Sequence, residues 1–525
     1  MKLKSIFVSM FALTALASCS NDDEIVNGSS VLEEGEGAYL SVAINMPTSV
    51  MSRAAVGAAG VGDDGPGHEV GTDAENAVNS VYLLTYKDGT RIGELRPLTS
   101  DEQGTIGKGA AGTHGKAIKV DKEVDEVFVV INPSAKTLSS IKLNANKSAL
   151  TTAIEESVDD LTAAGFMMTS DKGFVAVTPE VAVGETDAAI EAAKKRAEEK
   201  PVVIGVDRAV VKTKLAAFTG TVSNGTAKID GWKLNTTNTK YFPYAELVTY
   251  QMGGKDVDDA KYRKDPNFIG LAMNADGTGA AAEEFKWLDN KDYASIGWNN
   301  WTAPKDIEYC LENTMDAGAA NQNYNNTTKM IIKAQFAPDT IKLGDSWFRV
   351  GGVVLTFDQL NASYEKASDT DKAKYSEFLD KLLGTDRAKG WKGEAGKAVE
   401  VTVNDLDAVP NGGYLAATVS KKENYLIEYF QKSVCYYDVN LKHDNRVEPF
   451  LLGRWGVVRN NAYTVTINKI SQPGLPYIPD PTDPDIKDPS NPNPVTPTPD
   501  DKESAYISVS ITVNQWTTWS QGVDL

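Results

Sequence analysis

The stretch that most constrains this chain is a proline-rich run followed by a strand. Residues 472–500 hold ten of the protein's 22 prolines. Proline fixes φ and removes a backbone donor, so the run is expected as an extended, polyproline-like spacer that joins no sheet. Residues 505–513 follow as Ala-Tyr-Ile-Ser-Val-Ser-Ile-Thr-Val, with apolar Ile507, Val509, Ile511 and Val513 alternating with polar Ser508, Ser510 and Thr512. That period of two predicts a half-buried strand. Such a strand needs a sheet, and the spacer immediately upstream offers none.

Residues 38–46 repeat the pattern near the other end, as Ala-Tyr-Leu-Ser-Val-Ala-Ile-Asn-Met, with Leu40, Val42, Ile44 and Met46 on one face. Aligned without gaps, the two segments share five of nine positions, Ala, Tyr, Ser, Val and Ile. Strands so alike could compete for one groove. Half-buried strands also draw on few residue types, which gives the match an accidental explanation as well.

A length of 525 residues suggests two to four domains, and 41% hydrophobic residues suffice for sizeable cores. The net charge of −19 argues against a nucleic-acid partner, which calls for a basic surface. Lys2 and Lys4, an apolar run over 6–16 and Leu16-Ala-Ser-Cys19 compose a targeting signal. Its ending resembles a bacterial lipobox, in which Cys19 is lipidated; an ordinary cleaved secretory peptide is the alternative. The acidic run 21–24 resembles the one that accompanies surface export of Bacteroidetes lipoproteins, or is a plain solvated linker. Between residues 51 and 67 small residues and glycines predict an exposed loop of the kind proteases cut, and it carries Arg53, the only arginine before Arg91.

Short strands are expected at 78–85, 126–131, 206–213, 329–336, 347–357, 414–419, 434–440 and 463–470, and helices at 185–200 and 363–383. The fold class expected is mainly β: two antiparallel β-sandwich domains in series with a few short helices. The divisions are 1–19, signal peptide; 20–53, propeptide with a removable strand; 54–204 and 205–471, the two sandwiches; 472–501, spacer; and 502–525, terminal strand.

Catalytic chemistry has little to work with. His68, His114 and His443 stand in no metal-ligand spacing, and no nucleophile elbow, phosphate loop or CxxC occurs. No catalytic residue, metal site or cofactor is therefore assigned. Cys310 and Cys435 are either a disulfide or two small buried hydrophobes. Gly297-Trp298-Asn299-Asn300-Trp301 offers two indoles on which a sugar could stack, or a buried loop anchor.

Three segments carry a family resemblance: Tyr309-Cys-Leu-Glu-Asn-Thr314, Thr328-Lys-Met-Ile-Ile-Lys-Ala-Gln-Phe336, and Arg454-Trp-Gly-Val-Val-Arg-Asn-Asn-Ala-Tyr-Thr-Val-Thr-Ile467. Phe166-Met-Met-Thr169 and Val206-Asp-Arg-Ala-Val-Val-Lys212 are weaker echoes. With the order of lipobox, strand, arginine site, two domains, spacer and terminal strand, the chain resembles the Bacteroidales type V fimbrillins, in particular the shaft subunit of minor fimbriae. The likeness is firm in the second half and loose over 54–204.

The resemblance implies two transthyretin-like sandwiches, export as an outer-membrane lipoprotein, cleavage between Arg53 and Ala54 by an arginine-specific protease, and no enzymatic activity. It also implies donor-strand exchange: loss of the strand carrying Leu40, Val42, Ile44 and Met46 opens a groove, which Ile507, Val509, Ile511 and Val513 of a neighbour fill. The implied partners are further copies of the chain, tip and anchor subunits, and the protease. Four apolar side chains at roughly 1.5–3 kcal/mol each give either strand a gross gain of about 6–12 kcal/mol. The two strands are matched in this respect, so direction is expected from loss of the tether, from extra contacts of Trp516 and Trp519, and from the neighbour's local concentration. A spacer spanning roughly 80 Å in polyproline geometry is long enough to reach a neighbour. The alternative is a glycan-binding surface lipoprotein with its platform at 297–301.

Overall fold

Strands with apolar residues on one or both faces must stack sheet on sheet or under helices, and this chain does both. The computed structural model describes residues 37–45, 68–107, 114–184, 186–252, 255–256, 262–270, 284–288, 300–318, 321–322, 326–420, 427–444, 446–448, 450–478 and 506–517. Cys19, Met46, Arg53, Ala54, Trp298, Trp519 and residues 479–501 of the spacer lie outside the described residues.

The first core lies between two sheets. One has the order Glu180–Val181, Ala38–Leu40, Ile118–Val120; the other runs Val42–Asn45, Val202–Arg208, Met168–Ser170, Glu126–Ile131, Val81–Lys87, Thr90–Ile92. Leu40, Val42, Ile44, Val81, Phe128, Val130 and Ile204 are buried in it together. The expected strand 38–46 is thus two short strands, bent at Ser41, that serve both sheets.

The second core lies between a sheet ordered Ile307–Leu311, Val210–Leu215, Asn461–Ile470, Ile507–Thr517, His68–Val70 and a three-stranded sheet, Gly225–Asn235, Lys329–Pro338, Val434–Asn440. Alternate residues of Lys329–Pro338 (Met330, Ile332, Ala334, Phe336) point into this core, as the period of two requires. The expected strand 206–213 is divided. Ile204, Val206, Ala209 and Val210 are buried in the first core and Val211 and Leu215 in the second, so the strands Val202–Arg208 and Val210–Leu215 carry the chain from one core to the other, and a division at 204/205 falls inside a strand.

Residues 339–433, inserted between the paired strands Lys329–Pro338 and Val434–Asn440, form a third, largely helical lobe around Phe348, Tyr375, Phe378, Leu379, Trp391 and Tyr429. This corrects the expectation of only a few short helices. The stretch 414–419, expected as a strand, belongs to helix Gly412–Ser420. A short apolar run carries no decisive period, and Gly413 sits so close to Pro476 that an added Cβ would lie 2.2 Å from its carbonyl oxygen. Expected strand 347–357 is a hairpin turned at Gly351 and Gly352, both at positive φ, and then a helix start. Helix 363–383 is two helices, Phe357–Lys366 and Asp369–Leu383, because Ser368 caps the second by accepting from Asp371 N. The fold is strand-rich and mixed, with several sheets and interspersed helices.

Candidate functional site

The two matching segments occupy different seats. Of the leader strands, Ala38–Leu40 is the central strand of its three-stranded sheet, and Val42–Asn45 is the edge strand of the second sheet, with a single bridge from Ala43 to His114 on its outer side. Ala38 and Tyr39 pair with Val181 and Glu180 on one side and with Val120 and Lys119 on the other, and Val42–Asn45 runs parallel to Val202–Gly205. Leu40, Val42 and Ile44 are each at most 4% exposed. The opposite face is filled as well: Tyr39 lies against Ala182, Ala193 and Ala197, beneath helix Asp187–Glu199. The Ser41 hydroxyl donates to Gly115 O at 3.0 Å. Withdrawing this segment leaves Ile118–Val120, Glu180–Val181 and Val202–Gly205 with unpaired edges around an apolar slot, a template for an incoming strand.

The tail strand Ile507–Thr517 is longer than its sequence pattern and is already paired. It runs antiparallel to Asn461–Ile470, from Ile507 opposite Ile470 to Gln515 opposite Asn461, with a bulge between Ile467 and Lys469. At its far end it runs parallel to His68–Val70. A sheet is therefore available to the tail within its own chain, supplied by residues remote in sequence. The fit is uneven. Ile507 is buried, but Val509, Ile511 and Val513 are only half-buried against the second core.

The tail's strongest contact is at Trp516, which is 0% exposed. Its ring stacks on Tyr309 at 5.8 Å, meets Phe166 edge-on at 5.4 Å, and has the Arg208 guanidinium 4.3 Å from its centroid. Arg208 also donates to Trp516 O (2.9 Å), Asn460 Oδ1 (3.1 Å), Glu75 O (3.1 Å) and Asn76 Oδ1. Burial pulls the Arg208 guanidinium down to about 10, against the opposing pull of Glu75 and Asp207, so it stays charged at neutral pH. Trp516 N donates to Asn460 O at 3.0 Å. Trp516 was expected to lend its contacts to a neighbouring molecule; here the seat is in the same chain.

A clasp closes over this end. After strand His68–Val70, Thr72 and Glu75 form a capping box on the turn of helix Asp73–Asn76. Glu69 reaches Lys212 (3.0 Å) and Lys214 (2.8 Å), and Glu75 reaches Lys212 (3.1 Å) and accepts from Tyr309 Oη (2.6 Å). Burial opposes ionisation of both carboxyls. For Glu69 the hydrogen bonds and charges of Lys214 and Lys212 outweigh it; for Glu75 Tyr309, Thr72 and Lys212 do so, and both stay below the ordinary range. The clasp could not be read from the sequence, because its partners stand more than a hundred residues away.

The beginning of the spacer is also seated. Leu475 exchanges backbone hydrogen bonds with Tyr436, Tyr437 Oη donates to Gln472 O, and Tyr477 and Ile478 are buried. Cys310 and Cys435 are unpaired and buried, and burial raises both thiols, Cys435 to about 12. Trp301 lies against Tyr436 at 5.6 Å, half-buried, as a loop anchor does. Among the described residues no group of three or more His, Cys, Asp or Glu is placed to hold a metal ion, and no helix is long and apolar enough to cross a membrane.

Residues 428–522 match a family described as "Major fimbrial subunit protein type IV, Fimbrillin, C-terminal". The matched segment takes in Val434–Asn440, strand Asn461–Ile470, the spacer and the tail strand. Among solved structures, the chain is similar to a fimbrilin (fimA) from Porphyromonas gingivalis W83, at 14% identity over 92% of this chain and 98% of that one, with a TM-score of 0.41. It is also similar to the C-terminally truncated tip fimbrial protein Mfa3 from Porphyromonas gingivalis, at 13% identity over 91% and 100%, with a TM-score of 0.33. Comparison with curated proteins found no match.

Proposed function

We propose that the chain is a structural, non-enzymatic subunit of a cell-surface fimbria that polymerises by donor-strand exchange. It is exported as an outer-membrane lipoprotein through Cys19, and an arginine-specific protease cuts between Arg53 and Ala54. The freed leader, with Leu40, Val42, Ile44 and Met46, leaves its slot, and Ile507, Val509, Ile511 and Val513 of another copy enter it. Tip and anchor subunits would end such a filament. A head-to-tail contact repeated without closure gives an open fibre, in keeping with a shaft role.

The observation that carries this reading is that the leader, paired in both sheets of the first core and buried there, has a nine-residue pattern that recurs in the tail, within the segment that matches the fimbrillin C-terminal family. The half-buried state of Val509 and Ile511, against complete burial of Val42 and Ile44, supports transfer of the tail to the leader's slot. Of the two indoles behind the glycan-binding alternative, Trp301 packs on Tyr436, which favours a loop anchor over a sugar platform, and Trp298 lies outside the described residues. Deleting residues 505–525 tests the mechanism: the expected product is secreted, folded monomer and no fimbriae. Normal fimbriae from that variant would refute it.

A further inference from the structure

We propose that the donor tail of a second copy enters the leader's slot in a single register, set by Tyr506 filling the socket that Tyr39 occupies before cleavage. The inference rests on the donor-strand reading above and specifies which residue selects the partner.

The socket is built for one ring. Ala193 and Ala197, one helical turn apart on Asp187–Glu199, form its wall with Ala182, and Ala117 and Ile190 close it. The Lys194 ammonium lies 5.8 Å from the Tyr39 ring centroid. Tyr39 is 6% exposed there, whereas Tyr506 in its own chain is 36% exposed. Tyr506 is thus an aromatic side chain whose burial is incomplete at home and whose identical counterpart is almost fully buried in the slot.

The gapless match extends the fit on both faces. Ile507 replaces Leu40, Val509 replaces Val42 and Ile511 replaces Ile44 on the core side, while Ser508 brings back the hydroxyl with which Ser41 reaches Gly115 O. A slip of one residue would turn serines into the core. A slip of two would place Ser504 or Ser508 in the alanine socket and leave it unfilled. Between residues 502 and 517 the only other aromatic is Trp516, ten positions away. Two positions fit less closely. Ser510 adds a hydroxyl where Ala43 is 3% exposed, and Ser504 replaces Gly37, where an added Cβ would stand 2.9 Å from the Tyr39 hydroxyl, so the donor ring must turn slightly.

The test uses the full chain, cleaved and assembled. In Val203→Cys with Ser510→Cys, which leaves Tyr506 in place, a short dimaleimide should join neighbouring subunits into a ladder, because Val203 pairs with Ala43, whose position Ser510 takes; Ser508→Cys or Thr512→Cys with Val203→Cys should give a much weaker one. Tyr506→Ala should slow elongation roughly tenfold, the value of the ~60 Å² of ring that is exposed at home and covered in the slot, while Tyr506→Phe stays within about twofold of the parent. Because Tyr506 is exposed at home, these variants should fold normally, checked by thermal melting. Elongation of Tyr506→Ala at the parental rate, or preferential crosslinking through 508 or 512, would overturn the register. If the 505–525 deletion stops assembly while Tyr506→Ala does not slow it, only the register fails; if the deletion variant assembles, donor-strand exchange itself fails.

Discussion

Replacing Trp516 with alanine should release the tail without unfolding the sandwich beneath it. The indole is 0% exposed, and at ~25 cal/mol per Å² over ~200 Å² its burial contributes about 5 kcal/mol gross. The Arg208 guanidinium over its face adds about 1 kcal/mol. Against these stands the indole Nε1, buried without a hydrogen-bond partner among the described residues, a penalty of about 1–3 kcal/mol that the variant removes. The net loss is therefore about 3–5 kcal/mol. At about 1.4 kcal/mol per tenfold, the open-tail population rises by about 100-fold to a few thousand-fold.

Amide hydrogen exchange on the uncleaved chain reads this directly. Amides of Ile507–Thr517 should exchange at least about 100-fold faster in Trp516→Ala, while those of Lys329–Pro338, on the opposite sheet, keep the parental rate. Unchanged tail exchange would refute the anchoring role. A parallel rise in Lys329–Pro338 would show instead that the tail is an inseparable part of the second core. The same variant, once cleaved, should polymerise faster, since the lost contacts belong to the closed tail. Slower growth would place the value of Trp516 in the neighbour instead.

Two further outcomes follow from charge and burial. The clasp carboxyls Glu69 and Glu75 titrate below their ordinary value of 4.5 in the folded chain, so their contribution is complete above about pH 4.5 and is lost as pH falls through the lowered folded values. Tail opening, measured by protease clipping at several pH values with an acid-active protease, should rise below pH 4.5 in the parent and lose most of that pH dependence in Glu69→Gln with Glu75→Gln. Cys310 and Cys435, buried and with raised thiol pKa values, should resist a thiol reagent at pH 8 in the native chain and both react in denaturant; rapid native labelling would refute their burial.

What was legible in the sequence follows from what is local. Strands Glu126–Ile131 and Val434–Asn440 lie where their short apolar runs put them, and Thr186 starts the Ala- and Lys-rich helix by accepting from Ala189 N. The half-buried tail strand was readable for the same reason, although its last four residues, 514–517, lack the alternation and are held by pairing with Asn461 and with His68–Val70. Non-local arrangements were not readable. Nothing around Ala209 announces that one strand serves two cores, and nothing near Glu75 foretells Lys212 and Tyr309. The apolar run at 414–419 carries no period that separates strand from helix, and in the fold it lies in helix Gly412–Ser420.

On the donor-strand proposal, the closed tail changes how polymerisation would be controlled. A tail held in its own chain competes with any neighbour at the high effective concentration of a tethered segment, so cleavage alone does not commit it to exchange. In the leader's slot, Val509 and Ile511 would complete a burial that is half-made at home, a gain of about 1–1.5 kcal/mol each, and Tyr506 would add its ring. Trp516, Arg208 and the Glu69–Lys212–Glu75 clasp oppose that gain with a contribution of similar size. Two near-equal seats make a switch that small biases can move. The clasp strand His68–Val70 begins 14 residues after Ala54, on the chain end that cleavage would free. If the cut weakens the clasp as well as opening the slot, one proteolytic event both vacates the acceptor and loosens the donor. Tail exchange should then accelerate on cleavage even in dilute monomer, where no neighbour is present. Identical tail exchange before and after the cut would confine the protease's effect to the acceptor slot.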